Sequence, residues 1–239
     1  MASPHLPIDL NSRGLLDLGE ACLDSDLKAA VLDCVASLKS EAGQAIADYQ
    51  ADDKALSHVS PETLAALLAR NTNVHGLATD RSLSNTICFT APHIEGAVNT
   101  PRVAEQRRVV DRLMGRFVQD LFTTWKDLAV TPSGLLWYPP GCAMGWHTNS
   151  NSAGWRVYMN YCEEEGKSFF RYRDPDNGEI VTLADQQWNF RIFRVTREDP
   201  LWHCIYSDTN RFSIGYKVLE PSFKGAVVNK LKAGIGLRR

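Results

Sequence analysis

Residues 188–195 read WNFRIFRV, a run rich in aromatic and β-branched side chains that contains neither glycine nor proline. Such a composition is typical of a β-strand. From about residue 133 onward the hydrophobic pattern has a period of two, and turn signals such as Pro139-Pro140-Gly141 separate short runs of this kind. Eight runs are found, at 135–138, 144–148, 155–161, 168–173, 179–183, 188–195, 201–206 and 211–218. Eight short strands at this spacing predict a jelly roll or barrel.

The first half of the chain carries helical patterns instead. Apolar residues recur there at intervals of three or four, and Ser-Pro-Glu and Thr-Pro sequences are typical helix starts. A short run at 86–90 indicates an isolated strand between two of the helices. Three helices are expected: one from about 27 to 49 with Ser25 as its cap, one starting at Ser60-Pro61, and one from Thr100-Pro101 to near Leu128.

These patterns predict an α+β protein built as one integrated domain with three parts. Residues 1–130 form a helical N-terminal support region, residues 131–220 form the jelly-roll core, and residues 221–239 form a basic C-terminal tail. The tail contains Lys224, Lys230, Lys232, Arg238 and Arg239.

Composition excludes several classes of protein. The chain has 239 residues, 44% of them apolar, which suits a globular domain and excludes disorder and coiled coils. Its 26 basic and 28 acidic residues give a net charge of −2, so no overall positive field favours nucleic acid, and a nucleic-acid partner is unlikely. The N-terminus lacks a signal-peptide pattern, and no apolar run is long enough to span a bilayer. We therefore expect a soluble cytoplasmic protein without a membrane partner.

Two histidines within the strand-rich half indicate a metal site. His147 and Asn149 are two residues apart in an extended segment, so both side chains point to one face. If the sheet brings His203 alongside, three ligands lie on one side of a metal. This is the geometry of the two-histidine, one-carboxylate site of non-haem Fe(II) oxygenases, with an amide in place of the carboxylate. Arg211 and Ser213 likewise share one face of the last strand, where together they can hold a carboxylate.

Residues 135–218 resemble the 2-oxoglutarate-dependent Fe(II) oxygenase superfamily. Its signature is His-x-Asp, a distal His and a following Arg-x-Ser on a double-stranded β-helix, here His147-Thr148-Asn149, His203 and Arg211-Phe212-Ser213. The segment from Tyr138 to Gly141 is similar to the one that precedes the first ligand in prolyl-hydroxylase-like and alkylation-repair-like members.

The resemblance implies both ligands and chemistry. His147, Asn149 and His203 would hold Fe(II), while Arg211, Ser213, Tyr138 and Tyr161 would contact 2-oxoglutarate. It implies hydroxylation of a small molecule, amino acid or peptidyl side chain by O₂, with succinate and CO₂ as co-products and ascorbate as a possible reductant. The substrate itself is not implied.

Asn149 departs from the signature, because a neutral amide oxygen is a poorer Fe(II) ligand than a carboxylate. Three explanations stay open. Asn149 is a ligand in a working oxygenase, or it marks a position left for an exogenous anion as in the related halogenases, or it marks a catalytically inactive protein that binds metal or oxoglutarate on the same fold. A cupin-like isomerase or dioxygenase is a further alternative, which would not need the clamp of Arg211 and Ser213.

The remaining aromatic and basic residues have simpler interpretations. Five of the six tryptophans lie between Trp137 and Trp202, and we expect most of them to fill the barrel. Trp146 and Trp202 each directly precede a predicted ligand and are candidates for contact with substrate. Of Arg191 and Arg194, at most one points into the barrel, because they lie on opposite faces of one strand.

Overall fold

A computed structural model describes residues 15–20, 23–71, 85–91, 94, 96–121 and 129–219. The predicted basic tail lies outside these residues. Ten strands are described: β1 (Leu15–Asp17), β2 (Ile87–Cys88), β3 (Ala129–Tyr138), β4 (Cys142–His147), β5 (Gly154–Cys162), β6 (Ser168–Arg173), β7 (Ile180–Ala184), β8 (Trp188–Val195), β9 (His203–Ser207) and β10 (Arg211–Leu219). Five helices are described: α1 (Ser25–Glu41), α2 (Gly43–Ala47), α3 (Ala55–His58), α4 (Pro61–Ala69) and α5 (Pro101–Leu121).

The strands form two antiparallel sheets. The larger sheet has the order β1-β8-β5-β10-β3-β2, and the smaller has the order β4-β9-β6-β7. Each of the eight runs predicted from the two-residue period is a strand, so the α+β jelly-roll prediction is confirmed. Residues 1–130 contribute two edge strands as well as helices. β1 was not predicted, and β2 lies in the run predicted at 86–90 but is not isolated, because it pairs with β3.

The helices α1 and α5 cover the outer face of the larger sheet. Asp24, rather than the predicted Ser25, caps α1, because the Asp24 carboxylate accepts a hydrogen bond of 2.6 Å from the Leu27 backbone N–H. α1 ends at Glu41 instead of reaching Tyr49, and the chain continues into α2. α5 begins where predicted, after Thr100, whose hydroxyl accepts from the Val103 N–H at 3.3 Å. The predicted end near Leu128 lies outside the described residues.

A large apolar core lies between these helices and the sheet. It contains Val31, Val35 and Leu38 of α1, Val110, Met114 and Phe117 of α5, and Trp137, Trp155, Trp188 and Phe190 of the sheet. The prediction that the tryptophans fill the barrel is wrong for these three, because they pack on its outer face against the helices. Burial of this layer supplies much of the apolar area removed from water.

A second, smaller core covers the outer face of the smaller sheet. Trp146 and Trp202 pack there against Val59 and Leu64 of the segment around α3 and α4. The Trp146 indole N–H donates to the Ser60 carbonyl at 2.8 Å. These two tryptophans therefore anchor the ligand-bearing strands to the helices and do not face the barrel interior.

The space between the two sheets combines apolar and polar side chains. The smaller sheet and its neighbours contribute buried Met144, Phe170, Leu201 and Ile205. The inner face of the larger sheet carries a row of buried polar groups: Arg156, Asn160, Asn189, Arg191, Arg211 and Ser213. Among the residues that the structure describes, no helix is long and apolar enough to cross a bilayer.

Candidate metal and carboxylate site

His147 and His203 meet inside the barrel. His147 ends β4 and His203 begins β9, and the two residues are directly paired in the register of the smaller sheet. Their ring centroids lie 4.1 Å apart, and 4% and 1% of their surfaces are exposed. The predicted approach of the two histidines is thus found in the structure.

Both imidazoles are held in the same tautomer. His147 Nδ1 lies 2.9 Å from the Gly145 carbonyl, and His203 Nδ1 lies 2.9 Å from the Leu201 carbonyl. A carbonyl only accepts, so each Nδ1 carries the proton and each Nε2 presents a lone pair. Burial lowers the pKa of His147 to about 4, while burial and the adjacent His147 lower that of His203 well below its usual value. Both rings are neutral at physiological pH, as metal binding requires.

Asn149 is the third residue of the predicted metal site, and it lies beside the two histidines. Its Nδ2 lies 3.3 Å from His203 Nε2, so the amide reaches the place to which the imidazole lone pair points. Its backbone has φ of 55°, a left-handed conformation that asparagine adopts more readily than most residues. No group of three His, Cys, Asp or Glu side chains suitable for a metal occurs in the described ranges. Among the described residues, the Asn149 amide is therefore the polar side chain that the structure brings to the two imidazoles.

Arg211 is buried, but a carboxylate of the chain itself contacts it. Arg211 Nε donates to Asp185 Oδ2 at 2.8 Å, and Asp185 Oδ1 accepts from Arg191, whose Nε also donates to Asp17 at 2.9 Å. Burial would raise the pKa of Asp185, but the Arg211 and Arg191 guanidiniums lower it, so the carboxyl stays ionised. The buried one of the two arginines considered on β8 is Arg191, and its role here is to pair with these acids.

Unpartnered polar atoms surround this ion pair. Arg211 Nη1 and both amide atoms of Asn160 are buried without a hydrogen-bond partner among the described residues. Asn160 lies directly opposite Ser213 in the sheet register. Tyr138 is 1% exposed, and its ring lies 5.0 Å from the Arg211 guanidinium. In the part of the chain that the structure describes, its hydroxyl reaches only the weak acceptor Met144 Sδ, at 3.7 Å. Because an unmet buried polar atom is costly, this group of atoms suits a bound carboxylate.

Tyr161 is not part of this group. It lies on the outer face of β5, where its ring centroid is 4.8 Å from that of Trp188 and 6.4 Å from that of Phe212. Alternation along the strand places Asn160 and Cys162 on the inner face instead. The structure therefore brings six of the seven predicted site residues into the barrel and places Tyr161 against the helices.

The structure adds two residues that the sequence analysis missed. Asn160 is a polar residue within the strand-like run 155–161, which the sequence does show. Only the pairing of β10 with β5 reveals that it shares a face with Arg211 and Ser213. Asp185 lies in the turn between β7 and β8, and no sequence pattern connects it to Arg211.

This architecture is similar to that of known oxygenases. A prolyl hydroxylase from Trichoplax adhaerens, solved in complex with a hypoxia inducible factor oxygen degradation domain peptide fragment, is 14% identical, with 88% of this chain and 86% of that chain covered and a TM-score of 0.50. A Pseudomonas putida prolyl-4-hydroxylase is 12% identical over 89% and 95%, with a TM-score of 0.47. No protein-family model and no curated protein sequence matches the chain.

The chain has the double-stranded β-helix fold. The motif resemblance to 2-oxoglutarate oxygenases is thereby confirmed at the level of the fold. Within this double-stranded β-helix, the smaller sheet supplies His147 and His203, and the larger sheet supplies Arg211, Ser213 and Asn160. The donor set and the unpartnered polar atoms fit a metal ion at one position and a carboxylate at the other.

Proposed function

We propose that this protein is a non-haem Fe(II)- and 2-oxoglutarate-dependent oxygenase that hydroxylates a small molecule, an amino acid or a peptidyl side chain. The observation that carries the proposal is the pair of neutral imidazoles with unprotonated Nε2 atoms, one of them 3.3 Å from the Asn149 amide, inside the barrel that also buries the unpartnered Nη1 of Arg211. Neither feature is needed for a purely structural barrel.

His147, Asn149 and His203 would hold Fe(II). Imidazole nitrogens suit iron, and backbone carbonyls on both Nδ1 atoms fix the rings and increase their basicity, as is usual around metal-bound histidines. Turning the Asn149 amide by half a rotation directs Oδ1, in place of Nδ2, toward the metal. When bound, Fe(II) and 2-oxoglutarate together supply O₂ activation for oxidation of a C–H bond, with succinate and CO₂ as co-products.

Arg211, Ser213, Asn160 and Tyr138 would hold the far carboxylate of 2-oxoglutarate. Arg211 Nη1 needs an acceptor, and the Asn160 amide, the Ser213 hydroxyl and the Tyr138 hydroxyl add donors on the same inner face. Asp185 fixes the orientation of the guanidinium through Nε and leaves the buried Nη1 available to donate to the ligand. The same acid also offsets the positive charge, so we expect weaker binding than at an unpaired arginine.

Aromatic side chains exclude water from the proposed metal position. The Phe170 ring stacks at 5.5 Å on His203, and the Phe193 ring meets it edge-on at 5.1 Å. Exclusion of water strengthens the electrostatic interactions of the site and protects reactive species from side reactions.

The position of the Asn149 side chain supports the explanation that Asn149 is itself a ligand, and it disfavours the halogenase-like alternative. An amide 3.3 Å from His203 Nε2 fills the position that a halogenase-like site would leave for an exogenous anion. The inactive alternative is an outcome of the experiment described next.

An anaerobic titration tests the proposal. Purified protein given Fe(II) and then 2-oxoglutarate should develop the visible charge-transfer band of a chelate, and admission of O₂ with ascorbate should release succinate. A His203→Ala variant should show neither signal. A band without any succinate would identify a binding protein, and absence of both with folded protein would overturn the proposal. Turnover that ignores 2-oxoglutarate would instead favour a cupin-like enzyme.

A further inference from the structure

Within the described ranges, Arg156 differs from the other buried arginines because no carboxylate contacts it. Arg107, Arg191 and Arg211 each contact a carboxylate, at 2.5, 2.9 and 2.8 Å respectively. Arg156 is only 2% exposed, yet its guanidinium contacts just the Trp155 and Ser152 backbone carbonyls within the described part of the chain. A buried cation without a counter-charge is costly, and burial accordingly lowers the pKa of Arg156.

A second cation lies directly opposite Arg156. Lys217 of β10 is its partner in the sheet register, and Lys217 Nζ donates to Ser152 Oγ at 2.8 Å. No ion pair involving Lys217 is found among the described residues, and partial burial together with the Arg156 charge lowers its pKa. Like charges directly opposite one another destabilise a sheet. The fold therefore places two cations together where stability alone disfavours them.

This pair lies beside the metal position. Arg156 is the register partner of Phe193, whose ring meets the His203 ring at 5.1 Å. Arg211 contacts β5 farther along, at Cys162, so the two cationic positions are separated along the strands.

We infer that Arg156 and Lys217 bind an oxyanion, a carboxylate or a phosphate, carried by the substrate. The inference rests on the proposed function, since it names the substrate class of that site. A negative group between the two cations removes their mutual repulsion and supplies the missing counter-charge for the buried guanidinium. The neighbouring metal position then receives the part of the substrate that is oxidised.

A structural role for Arg156 makes a different prediction. Its guanidinium donates to the Ser152 carbonyl, and the Ser152 N–H donates to the Asn149 carbonyl at 3.0 Å, so Arg156 also braces the turn that carries Asn149. If bracing were its whole role, Arg156→Gln would weaken Fe(II) binding, and Lys217→Gln would leave anion binding unchanged.

Calorimetry with matched probes tests the inference. Hexanoate, hexyl phosphate and hexanamide share a chain length and differ in charge, and each is titrated anaerobically into protein loaded with Fe(II) and 2-oxoglutarate, which occupies the Arg211 position. We expect one or both anions to bind about tenfold or more tightly than hexanamide, with an affinity that falls as salt rises. The stronger of the two anions identifies the oxyanion. Equal affinity for all three probes, or no binding of either anion, would overturn the inference.

Substitutions at Arg156 and Lys217 show where the anions bind. Arg156→Gln and Lys217→Gln should each lower anion affinity about tenfold, Arg156→Lys should retain part of it, and the exposed control Lys54→Gln should change nothing. Lys217 is only partly buried, so its variant remains informative if Arg156→Gln fails to fold. Anion binding equal to wild type in Lys217→Gln and Arg156→Lys would contradict the inference.

The charge-transfer band, followed separately, reports on the proposed function. A normal band without anion binding would reject only the substrate class. If no band forms, titrations into unloaded wild type and unloaded Lys217→Gln still test the cationic pair, because binding at Arg211 is common to both proteins.

Discussion

The two faces of the larger sheet are built from the same strands but serve different purposes. On β8, outward-facing Phe190 and Ile192 are wholly buried in the apolar core against the helices, whereas inward-facing Asn189 and Arg191 join the polar interior. Since successive side chains alternate across a strand, adjacent residues enter the apolar core and the polar interior respectively. Substitutions on the outer face should change the free energy of unfolding, and those on the inner face should change ligand affinity.

The largest expected effect is on the outer face. Phe190→Ala removes a ring that is 0% exposed and packs edge-on against Phe117 at 5.0 Å. We expect the free energy of unfolding to fall by about 3–5 kcal/mol, because the cavity adds to the lost transfer energy. Urea denaturation measures this, and Fe(II) affinity of the protein that remains folded should match wild type. A selective loss of metal binding at unchanged stability would refute the division between the faces.

Arg211→Lys tests the inner face. Alanine is a poor choice there, because it would leave buried Asp185 with one fewer cation. The resulting loss of stability could unfold the protein and hide any effect on ligand binding. Lysine keeps a charge for Asp185 and removes Nη1. We expect 2-oxoglutarate affinity to fall about 10–100-fold, as for loss of a charged hydrogen bond, while the free energy of unfolding falls by about 1–2 kcal/mol.

Anaerobic titration of the charge-transfer band gives the affinity, and urea denaturation gives the stability. Phe190→Ala is the matched control, since it should show the opposite pattern. Unchanged 2-oxoglutarate affinity in Arg211→Lys would assign Arg211 a purely structural role.

The difference between the faces also explains how much the sequence could predict. A two-residue period locates strands and relative phase, and it predicted the eight strands. The approach of His203 to His147 was implied by the family resemblance, and the structure shows the two rings 4.1 Å apart. It does not say which phase faces the barrel when helices cover the outer face, because both sides then carry aromatic residues. Tyr161 was taken from the resemblance alone, and the period could not show that it faces the helices while Asn160 faces the barrel.

The sequence could not predict contacts between distant segments, for a different reason. Asp185 reaches Arg211 only because β10 and the turn before β8 meet in the folded barrel. Trp146 and Trp202 were interpreted from their neighbours in the chain, whereas α3 and α4, which cover them, come from a remote segment. The cap of α1 differed by one residue, since Asp24 and Ser25 are both good capping residues.

Asn149→Asp changes the one position that departs from the signature. Aspartate tolerates the left-handed backbone at φ of 55° and restores a charged ligand, so we expect Fe(II) affinity to rise about tenfold or more. Asn149→Gly is the matched variant, because it relieves the backbone strain by about 1 kcal/mol and removes the side chain. Fe(II) affinity should therefore rank Asp above Asn above Gly. Equal affinity in all three would exclude residue 149 as a ligand.

The smallest expected effect concerns an ion pair that joins the helical layer to the end of β5. Lys39 of α1 pairs with Glu163, whose carboxylate also accepts from Asn210 at 2.8 Å, and the two charged side chains are 39% and 31% exposed. Partial burial would raise the pKa of Glu163, but Lys39 and Asn210 lower it. Because the folded pKa is lowered, the pair stabilises the fold at pH values above the unfolded pKa of about 4.3, and this stabilisation disappears as pH falls through the folded pKa.

Glu163→Gln should therefore lower the free energy of unfolding by under about 1 kcal/mol at pH 7, measured by urea denaturation. The loss should be smaller at acidic pH, where both proteins carry a neutral group. A cost as large as that of Phe190→Ala would mean that charge, and not the apolar outer face, holds the helices on the sheet.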